Sequence, residues 1–527
     1  MPIGFPSRWI ALPLVIAGSL VPAASAQAAF GISGAVAQPS NTQAGAHSNF
    51  SLSYDTTGDE DIRNLVTELP PGLVGNPTAV SYCNTAELAD DPGVQCADAI
   101  VGTASSTVEA AGLPLPLTAS GNVYNMVPQG NDPATLGIRL ESPGNLTAPV
   151  ILIGHASART TDFGLNTTIL DIPNTASIVL LGTVPIHITH TELTLNASFM
   201  TNPTSCAPAT TRITGTSYDG TTASDTASFT PTNCLGQAYN PQFALSVDLS
   251  KGPDHINNPE IVTRVTQGIN EANGKRVEAI LPSTIQANNA ALNVQCPEAN
   301  FLASTCSPGA QVGTAVARTP LLTAPLEGPV FLIQNVGVLP RLGLDLRGPL
   351  PAKLFGNVTP TQTFRLDNVF DGLPDVPLTD FKLTFRGGKT GLTTATKGLC
   401  GKEPDTFDAI FDSHGGHHVT RSGQAKLIGC GLVNNRCKGK KLTDVGGKGA
   451  NTIRGTKKRD VINGLGGRDR IVGLKGNDVL CGGKGRDKIS GGPGKDKLSG
   501  GAGRDLLLGG AGADKLAGGP GKDRQKQ

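Results

Sequence analysis

Hydrophobic residues follow two different periods along this chain of 527 residues. Between residues 30 and 432 they alternate with polar residues in short runs such as Phe50-Ser51-Leu52-Ser53-Tyr54, and clusters of Pro, Gly, Asn and Asp separate the runs. Alternation with a period of two predicts half-buried β-strands, and only residues 261–272 offer an amphipathic helix as an alternative. Between residues 446 and 526 a single Ile or Leu instead recurs every nine residues, except in the last repeat.

The alternating region contains two copies of one module. Eight landmarks occur in the same order in both halves: Leu69-Pro70, Cys83, Cys96, Gly102-Thr103-Ala104, Leu136-Gly137-Ile138-Arg139-Leu140, Val184-Pro185-Ile186, Cys206 and Cys234 match Leu281-Pro282, Cys296, Cys306, Gly313-Thr314-Ala315, Leu342-Gly343-Leu344-Asp345-Leu346, Val376-Pro377-Leu378, Cys400 and Cys430. Thr-rich strands separated by prolines favour sandwiches over helices. The sequence therefore predicts an all-β fold with two duplicated, β-sandwich-like modules, residues 29–245 and 246–432, each of one domain or two.

The tail from 446 to 526 consists of nine rows of nine residues without a change of register. The rows read GGKGANTIR, GTKKRDVIN, GLGGRDRIV, GLKGNDVLC, GGKGRDKIS, GGPGKDKLS, GGAGRDLLL, GGAGADKLA and GGPGKDRQK. Position one is always Gly, position six is Asp in every row except the first, which has Asn451, and position eight is aliphatic in all but the last. Glycines permit tight turns with positive φ, and stacked rows bury a column that one row could not bury alone.

This pattern, GGxGxDxUx, resembles the hemolysin-type, or RTX, calcium-binding repeat family. The resemblance implies a parallel β-roll over residues 446–527, with Ca²⁺ between turns and successive rows on alternate sides. Its ligands would be the position-six carboxylates and the glycines at positions two and four: Asp469, Asp487, Asp505 and Asp523 on one side, Asp478, Asp496 and Asp514 on the other, with Gly483, Gly485, Gly492, Gly494, Gly501, Gly503, Gly510 and Gly512. Row two lacks the second and fourth glycines, so Asp460 is a poor ligand candidate.

Residues 1–28 have the features of a secretory signal peptide. Arg8 precedes an apolar stretch from about Trp9, and Ala24-Ser25-Ala26 or Ala26-Gln27-Ala28 offers a cleavage site. A transmembrane anchor is the alternative, but the apolar run is short and contains Pro13. No later segment has the roughly 20 apolar residues that a spanning helix needs. We therefore expect a secreted or cell-surface protein without a membrane span after cleavage.

Export makes the ten cysteines interpretable as disulfides, since all follow the signal. A duplicated module should carry duplicated bridges, and the simplest set is Cys83 with Cys96, Cys206 with Cys234, Cys296 with Cys306, and Cys400 with Cys430. Cys437 in the linker, residues 433–445, then remains for Cys481 in row four. That bridge would attach the linker to the roll; the alternative is two unpaired or intermolecular thiols.

Charge is distributed unevenly between the body and the tail. Residues 446–526 contain eighteen Lys and Arg against eight Asp, a net charge of +10, whereas the remaining chain has 25 basic and 34 acidic residues, a net charge of −9. The basic side chains should weaken calcium binding, although salt screens exposed charges. They also indicate a possible anionic cell-surface polymer as partner, without predicting specific nucleic-acid binding; the alternative is that they only solubilise the roll.

Catalytic patterns are missing from the sequence. The densest histidine group, His414, His417 and His418, could ligate a metal, but the first module has a Gly-containing turn at the equivalent place, so a hairpin tip is expected. Gly154-His155-Ala156-Ser157-Ala158 lacks the second glycine of a nucleophile elbow. HExxH, P-loop and Rossmann patterns do not occur.

The sequence thus predicts a secreted, non-enzymatic, calcium-binding protein with a structural or adhesive role at the cell exterior. Two alternatives remain open. One is an extracellular hydrolase that uses the RTX tail as a calcium-dependent folding aid, as the resemblance to the family would suggest. The other is a surface protein that binds an anionic polymer through its basic tail.

Overall fold

The computed structural model describes residues 29–90, 95–179, 181–250, 255, 258–335, 339–395, 406–429, 436–446 and 449–527. The signal sequence and the Cys400–Cys430 pair, which the sequence analysis predicts, lie outside these residues. The fold is nearly all β, with 51% strand and 6% helix, and comprises two barrel-like sheets followed by a C-terminal β-solenoid of about four turns. The predicted fold class is therefore confirmed.

The first barrel is one continuous antiparallel sheet in the order β1-β2-β11-β5-β6-β7-β8-β9-β3-β13-β14, with β10 paired to β11 and β4 paired separately to β12. Its strands are β1 Gly31–Pro39, β2 Phe50–Thr57, β3 Ile62–Glu68, β4 Val74–Gly75, β5 Ile100–Ala110, β6 Leu117–Met126, β7 Thr135–Glu141, β8 Val150–Ala158, β9 Leu165–Ile169, β10 Thr175–Ile178, β11 Gly182–Leu195, β12 Met200–Thr201, β13 Ala209–Ser217 and β14 Thr222–Phe229. The two ends of the sheet meet where Ala35 N of β1 donates to Asp225 Oδ2 of β14 at 3.0 Å.

The second barrel has the order β27-β26-β17-β23-β22-β21-β20-β19-β24-β16-β15-β28, with β18 paired separately to β25. Its strands are β15 Gln242–Asp248, β16 Glu260–Thr266, β17 Gly274–Ile280, β18 Ile285–Ala287, β19 Gln311–Arg318, β20 Leu326–Ile333, β21 Arg341–Leu346, β22 Ala352–Pro360, β23 Leu366–Phe370, β24 Asp380–Phe385, β25 Thr393–Ala395, β26 Thr406–Ser413, β27 His418–Gln424 and β28 Lys426–Ile428. Arg421 of β27 donates to Pro241 O, just before β15, at 3.1 Å and brings the ends of the sheet together.

Strand order shows the internal duplication directly. Read from β15, the second sheet reproduces the first strand by strand, so that β7, which carries Leu136–Leu140, corresponds to β21, which carries Leu342–Leu346. Each module is one continuous sheet and not two small sandwiches. The first sheet ends with β14 and the second begins with β15, at residue 242, a few residues before the boundary at 245 that the landmarks suggest. The possible helix at 261–272 does not form, because β16 pairs on both sides, with β15 and β24.

Short helices lie outside the barrels and are held there by disulfides. They are α1 Thr85–Asp90 and α2 Glu298–Leu302, with 3₁₀ turns at Ala97–Ala99, Pro143–Asn145, Cys234–Gly236, Asn289–Asn293 and Pro308–Ala310. Cys83–Cys96 and Cys296–Cys306 enclose α1 and α2, whose Leu88 and Phe301 are buried beside them. Cys206–Cys234 closes a third loop. These are pairs that the duplication predicts.

A buried carboxylate joins the two barrels. Asp375, in the second module, is 4% exposed. It accepts hydrogen bonds from Thr204 N at 3.0 Å, Thr204 Oγ1 at 2.5 Å and Ser205 N at 3.2 Å, all from the first module, and from Asn273 Nδ2 at 2.9 Å. Because both of its oxygens are used, this side chain fixes one module against the other.

The solenoid consists of two parallel five-stranded sheets that face each other. The even-row sheet contains β31 Asp444–Val445, β33 Val461–Asn463, β35 Val479–Lys484, β37 Lys497–Ala502 and β39 Lys515–Ala517; the odd-row sheet contains β32 Thr452–Arg454, β34 Arg470–Val472, β36 Lys488–Ser490, β38 Leu506–Leu508 and β40 Arg524–Lys526. Position-eight residues from Ile453 to Leu507 are at most 7% exposed and form one apolar column between the sheets. Because a single row offers one such residue, the column exists only through stacking.

The segment before the roll is part of it. The hairpin of β29 Arg436–Cys437 and β30 Lys440–Lys441 leads into β31, which pairs with β33, so the predicted linker supplies the first strand of the even-row sheet. The Cys437–Cys481 bridge lies on the outer face of that sheet, packed on Val461 and Val479. Closing this loop should stabilise the roll by about 4 kcal/mol through chain entropy.

Candidate metal centre

The turns between strands have the backbone conformation that only glycine adopts without strain. Gly485, at position four, has φ of 133°, and a methyl group built on it would collide with the carbonyl oxygen of Gly467 in the turn below. Rows three and four instead carry Leu465 and Leu474 at position two, with φ of 69° and 79°. Each of these leucines should cost about 1–2 kcal/mol, because a Cβ disfavours that region.

The position-six aspartates form two columns with a spacing of eighteen residues, as the row alternation predicts. In each column, Oδ1 of one Asp accepts a hydrogen bond from the backbone N–H of the Asp one turn earlier. Asp469 N donates to Asp487 Oδ1 at 2.8 Å, and Asp487 N donates to Asp505 Oδ1 at 2.9 Å. The carboxylates are therefore fixed by the backbone before any ligand binds.

The second oxygen of these carboxylates is buried without a hydrogen-bond donor. This holds for six side chains that are at most 7% exposed: Oδ2 of Asp469, Asp478, Asp487, Asp496, Asp505 and Asp514. A methyl group built on Gly482 would collide with both Asp487 Oδ2 and the carbonyl oxygen of Gly500, so the two oxygens face one small space. Unpaired buried carboxylates beside carbonyl oxygens are the donor set that calcium requires, and the residues present fit that ion.

Glycine carbonyls at position one are a part of the site that sequence reasoning missed. For five of the six unpaired Oδ2 atoms, the neighbouring carbonyl oxygen comes from a position-one glycine one turn further on: Gly482, Gly491, Gly500, Gly509 and Gly518. The glycines at positions two and four have positive φ and shape the turn, and their role as ligands stays a prediction. A signal for the position-one carbonyls was present, because position one is Gly in all nine rows.

Asp460 differs from the other position-six carboxylates. Its Oδ2 accepts hydrogen bonds from Thr456 N at 2.6 Å and Thr456 Oγ1 at 3.1 Å. The threonine of row two, which replaces the second glycine, thus supplies the donors that the other rows lack. Asp460 therefore does not share their unpaired oxygen, and row two extends the sheet and the apolar column without contributing an equivalent ligand. Asp523, in the last row, is only partly buried.

Burial changes the acidity of the columns. It raises the pKa of Asp478 to about 6 and that of Asp487 to about 6, against the opposing effect of the backbone hydrogen bond that each accepts, and carboxylates one turn away add to the rise. Burial raises the pKa of Asp469, Asp496 and Asp505 in the same direction. Without a cation, the folded roll therefore favours protonated carboxylates.

These pKa shifts predict opposite pH dependences with and without calcium. Below about pH 4 the carboxylates are protonated in both the folded and unfolded chains, and the stability that this gives the calcium-free roll is lost as pH rises through about 6. Calcium binding requires the ionised form, so its affinity should fall as pH drops from about 7.5 to 5. Circular dichroism in chelator and calcium titrations over this range would check both slopes. A calcium affinity independent of pH would contradict the burial of these ligands.

A family model described as RTX calcium-binding nonapeptide repeat (4 copies) matches residues 445–480, 475–507 and 490–524. The roll is an array of RTX repeats. RTX nonapeptide repeats bind calcium, and the unpaired carboxylates of the two Asp columns fit that ion. No curated protein matches the chain. The match to the family model covers only the tail and leaves the two barrels unassigned.

The basic residues of the RTX roll are exposed and lie mainly on one side. On the odd-row side, positions five and seven carry seven cations, which we call the basic ladder: Arg468, Arg470, Arg486, Lys488, Arg504, Lys522 and Arg524. The same positions on the even-row side carry four: Arg459, Lys495, Lys497 and Lys515. Since these side chains point away from the buried columns, they oppose calcium only through solvent, where salt screens them.

The histidines do not form a metal site in the part of the chain that the structure describes. His418 Nδ1 lies 2.6 Å from Asp412 Oδ1, His414 Nε2 contacts Leu373 O at 2.8 Å, and His417 stacks on Tyr239. They occupy the turn between β26 and β27, the hairpin that the sequence predicts. Within the same described ranges, no helix is both long and apolar enough to cross a membrane.

Proposed function

We propose that the protein acts outside the cell as a non-enzymatic, calcium-binding adhesion protein, exported through residues 1–28, and that its RTX roll attaches it to an anionic polysaccharide. The observation that carries the proposal is the basic ladder. It places seven cations on one side of the solenoid, against four at the same positions on the opposite side.

The geometry of the ladder suits an extended polyanion. Rows on one side follow each other at the strand spacing, about 4.8 Å. Two such pairs, Arg468 with Arg470 and Arg486 with Lys488, therefore lie in neighbouring turns, and Arg504 continues the row in the next turn. A flexible polymer with regularly spaced carboxylate or sulfate groups can contact several turns at once, and each contact releases counterions.

Calcium binding would allow the ladder to form only outside the cell. The ladder exists only when the roll is folded, and the free energy of calcium binding becomes folding free energy. Low calcium inside the cell and high calcium outside would then restrict polymer binding to the exterior.

Three histidines of the first barrel pair with aspartates at its surface. His155, His187 and His190 each have Nδ1 within 2.8 Å of an Asp oxygen, the pairing that orients a general base. Among the described residues, however, no hydrogen bond joins a serine or cysteine side chain to these imidazoles. We therefore assign the pairs to the stability of the barrel surface.

Elution of the full chain from a heparin column in calcium-containing buffer tests the proposal. Replacing Arg468, Arg486, Arg504 and Lys522 together with Gln removes four charges from the ladder, and we expect binding about tenfold weaker or more, with a smaller salt dependence. The matched variant replaces Arg459, Lys495, Lys497 and Lys515 on the even-row side with Gln and should bind within about twofold of the unchanged protein. Equal elution of the two variants would contradict attachment through the ladder.

A further inference from the structure

A cavity of about 200 Å³ lies inside the second barrel. Its walls are inward-facing residues of the sheet, among them Ala317 of β19, Leu342 and Leu346 of β21, and Phe385 of β24. Protein interiors seldom contain voids much larger than a water molecule, because unfilled space forfeits packing contacts. An unfilled volume of this size in an otherwise close-packed barrel requires an explanation.

The first barrel contains a smaller cavity, of about 100 Å³, in the same place. Leu136 and Leu140 of β7 line it, and they are the counterparts of Leu342 and Leu346 in the duplicated motif. Ser106 of β5 likewise lines the first cavity where Ala317 lines the second. Two copies of the module, with different side chains, thus leave space at equivalent positions, so the space follows from the architecture.

Strand number explains the space. A barrel of about eight strands is just narrow enough for side chains to fill its interior, and wider barrels enclose ligands or channels. Each sheet here has twelve strands. The second barrel lines its wider centre with Ala317, Ala279 and Ala352, which are too small to fill it.

The first module borders the mouth of the second cavity. Pro77, Pro133 and Phe163 of that module contribute to its lining. The buried carboxylate Asp375, which joins the modules, follows directly on Pro374, another lining residue. The cavity is therefore complete only when both modules are in place.

The lining determines the chemistry of an occupant. None of the described residues around the cavity is Lys, Arg, His, Asp or Glu, and its few polar groups are those of Thr263, Gln267, Thr319, Asn368 and Tyr239. A carboxylate or phosphate would lose its hydration without gaining a cation. An engineered apolar cavity of about 150 Å³ stays dry and binds benzene. We propose that the second barrel binds a small, neutral, apolar molecule such as a medium-length alkyl alcohol or hydrocarbon.

Fluorescence titration of the full chain with the neutral probe N-phenyl-1-naphthylamine tests this site. We expect saturable binding, and Ala317→Phe should weaken it about tenfold or more by filling the cavity. Val316→Phe places the same ring on the outward face of the same strand and should leave affinity within about twofold. Ser106→Phe fills the cavity of the first barrel and should also leave it unchanged. If Ser106→Phe abolished probe binding and Ala317→Phe left it unchanged, the assignment to the second barrel would be overturned.

Competition keeps the test decisive if Ala317→Phe does not fold. At a pH of about 8, where a fatty carboxylate is ionised, 1-decanol should displace the probe from the unchanged protein and decanoate should not. Displacement by both with equal strength would overturn the neutral-ligand assignment. Failure of the probe to bind saturably would overturn the site itself.

Discussion

Chelating calcium at neutral pH is expected to unfold the RTX roll and to leave both barrels folded. Without the ion, six buried Oδ2 atoms have no partner, and each unsatisfied polar group costs about 1–3 kcal/mol, more when it is charged. Their sum is comparable with the whole stability of an ordinary domain, about 5–15 kcal/mol. Circular dichroism of the full chain with and without chelator, together with limited proteolysis, would show loss of structure confined to the tail. A tail resistant to protease in chelator would contradict this expectation.

Two substitutions at the same repeat position sharpen that test. Asp487→Asn removes a carboxylate whose Oδ2 is unpaired, and we expect calcium affinity to fall about tenfold or more, because each Asp column is shared between turns. Asp460→Asn changes a carboxylate whose Oδ2 already accepts hydrogen bonds from Thr456, and it should leave calcium affinity within about twofold. Isothermal calorimetry on the full chain would measure both. Equal losses would mean that row two also ligates calcium.

Asp375→Ala is expected to uncouple the two barrels. It removes the acceptor of four hydrogen bonds and leaves Thr204, Ser205 and Asn273 donors buried without partners, at a cost of about 3–5 kcal/mol in the free energy of unfolding. The two modules should then unfold in separate transitions, whereas we expect a single transition for the unchanged protein.

Urea unfolding followed by two probes, with calcium kept in excess, would detect this separation. Asp371→Ala is the matched control, since Asp371 is an exposed carboxylate in the same segment and contacts only the next backbone N–H in the described hydrogen bonds. It should change stability by less than about 0.5 kcal/mol. A single unchanged transition in Asp375→Ala would show that the remaining contacts, such as Thr78 Oγ1 donating to Pro320 O, suffice to join the modules.

The roll is the part that the sequence alone specified most completely. A period of nine with Gly at position one, Asp at position six and an aliphatic residue at position eight resembles the RTX repeat, and that resemblance implies the alternation of sides and the two Asp columns. Such a repeat can be predicted from sequence because each row contacts only neighbouring rows, at a fixed and short sequence separation. The departure of Asp460 was visible for the same reason, since row two lacks the second and fourth glycines.

The duplicated modules were predictable in number and in the three module disulfides that the structure describes, because landmarks and cysteines recur in order. The closing of each module into one barrel-like sheet was not predictable. Periodicity shows that a strand has one buried face, but it does not show which strands meet, so one continuous sheet could not be distinguished from two sandwiches. For the same reason the boundary at 245 falls inside β15, whose partners β16 and β28 belong to the second sheet.

Three features on which the proposals depend could not be recognised in the sequence: the coupling by Asp375, the side of the roll on which the cations lie, and the cavities. Asp375 is an ordinary surface residue by type, and only its burial between Thr204 and Asn273 reveals its role. Net charge predicted a basic tail, but its concentration on the odd-row side depends on which rows share a face. The cavities arise from strand number and not from any motif. The sequence by itself determined the repeat and its Asp columns, because these are local. Only the folded chain decided how each sheet closes, how the modules are coupled and what space they enclose, because these depend on residues far apart.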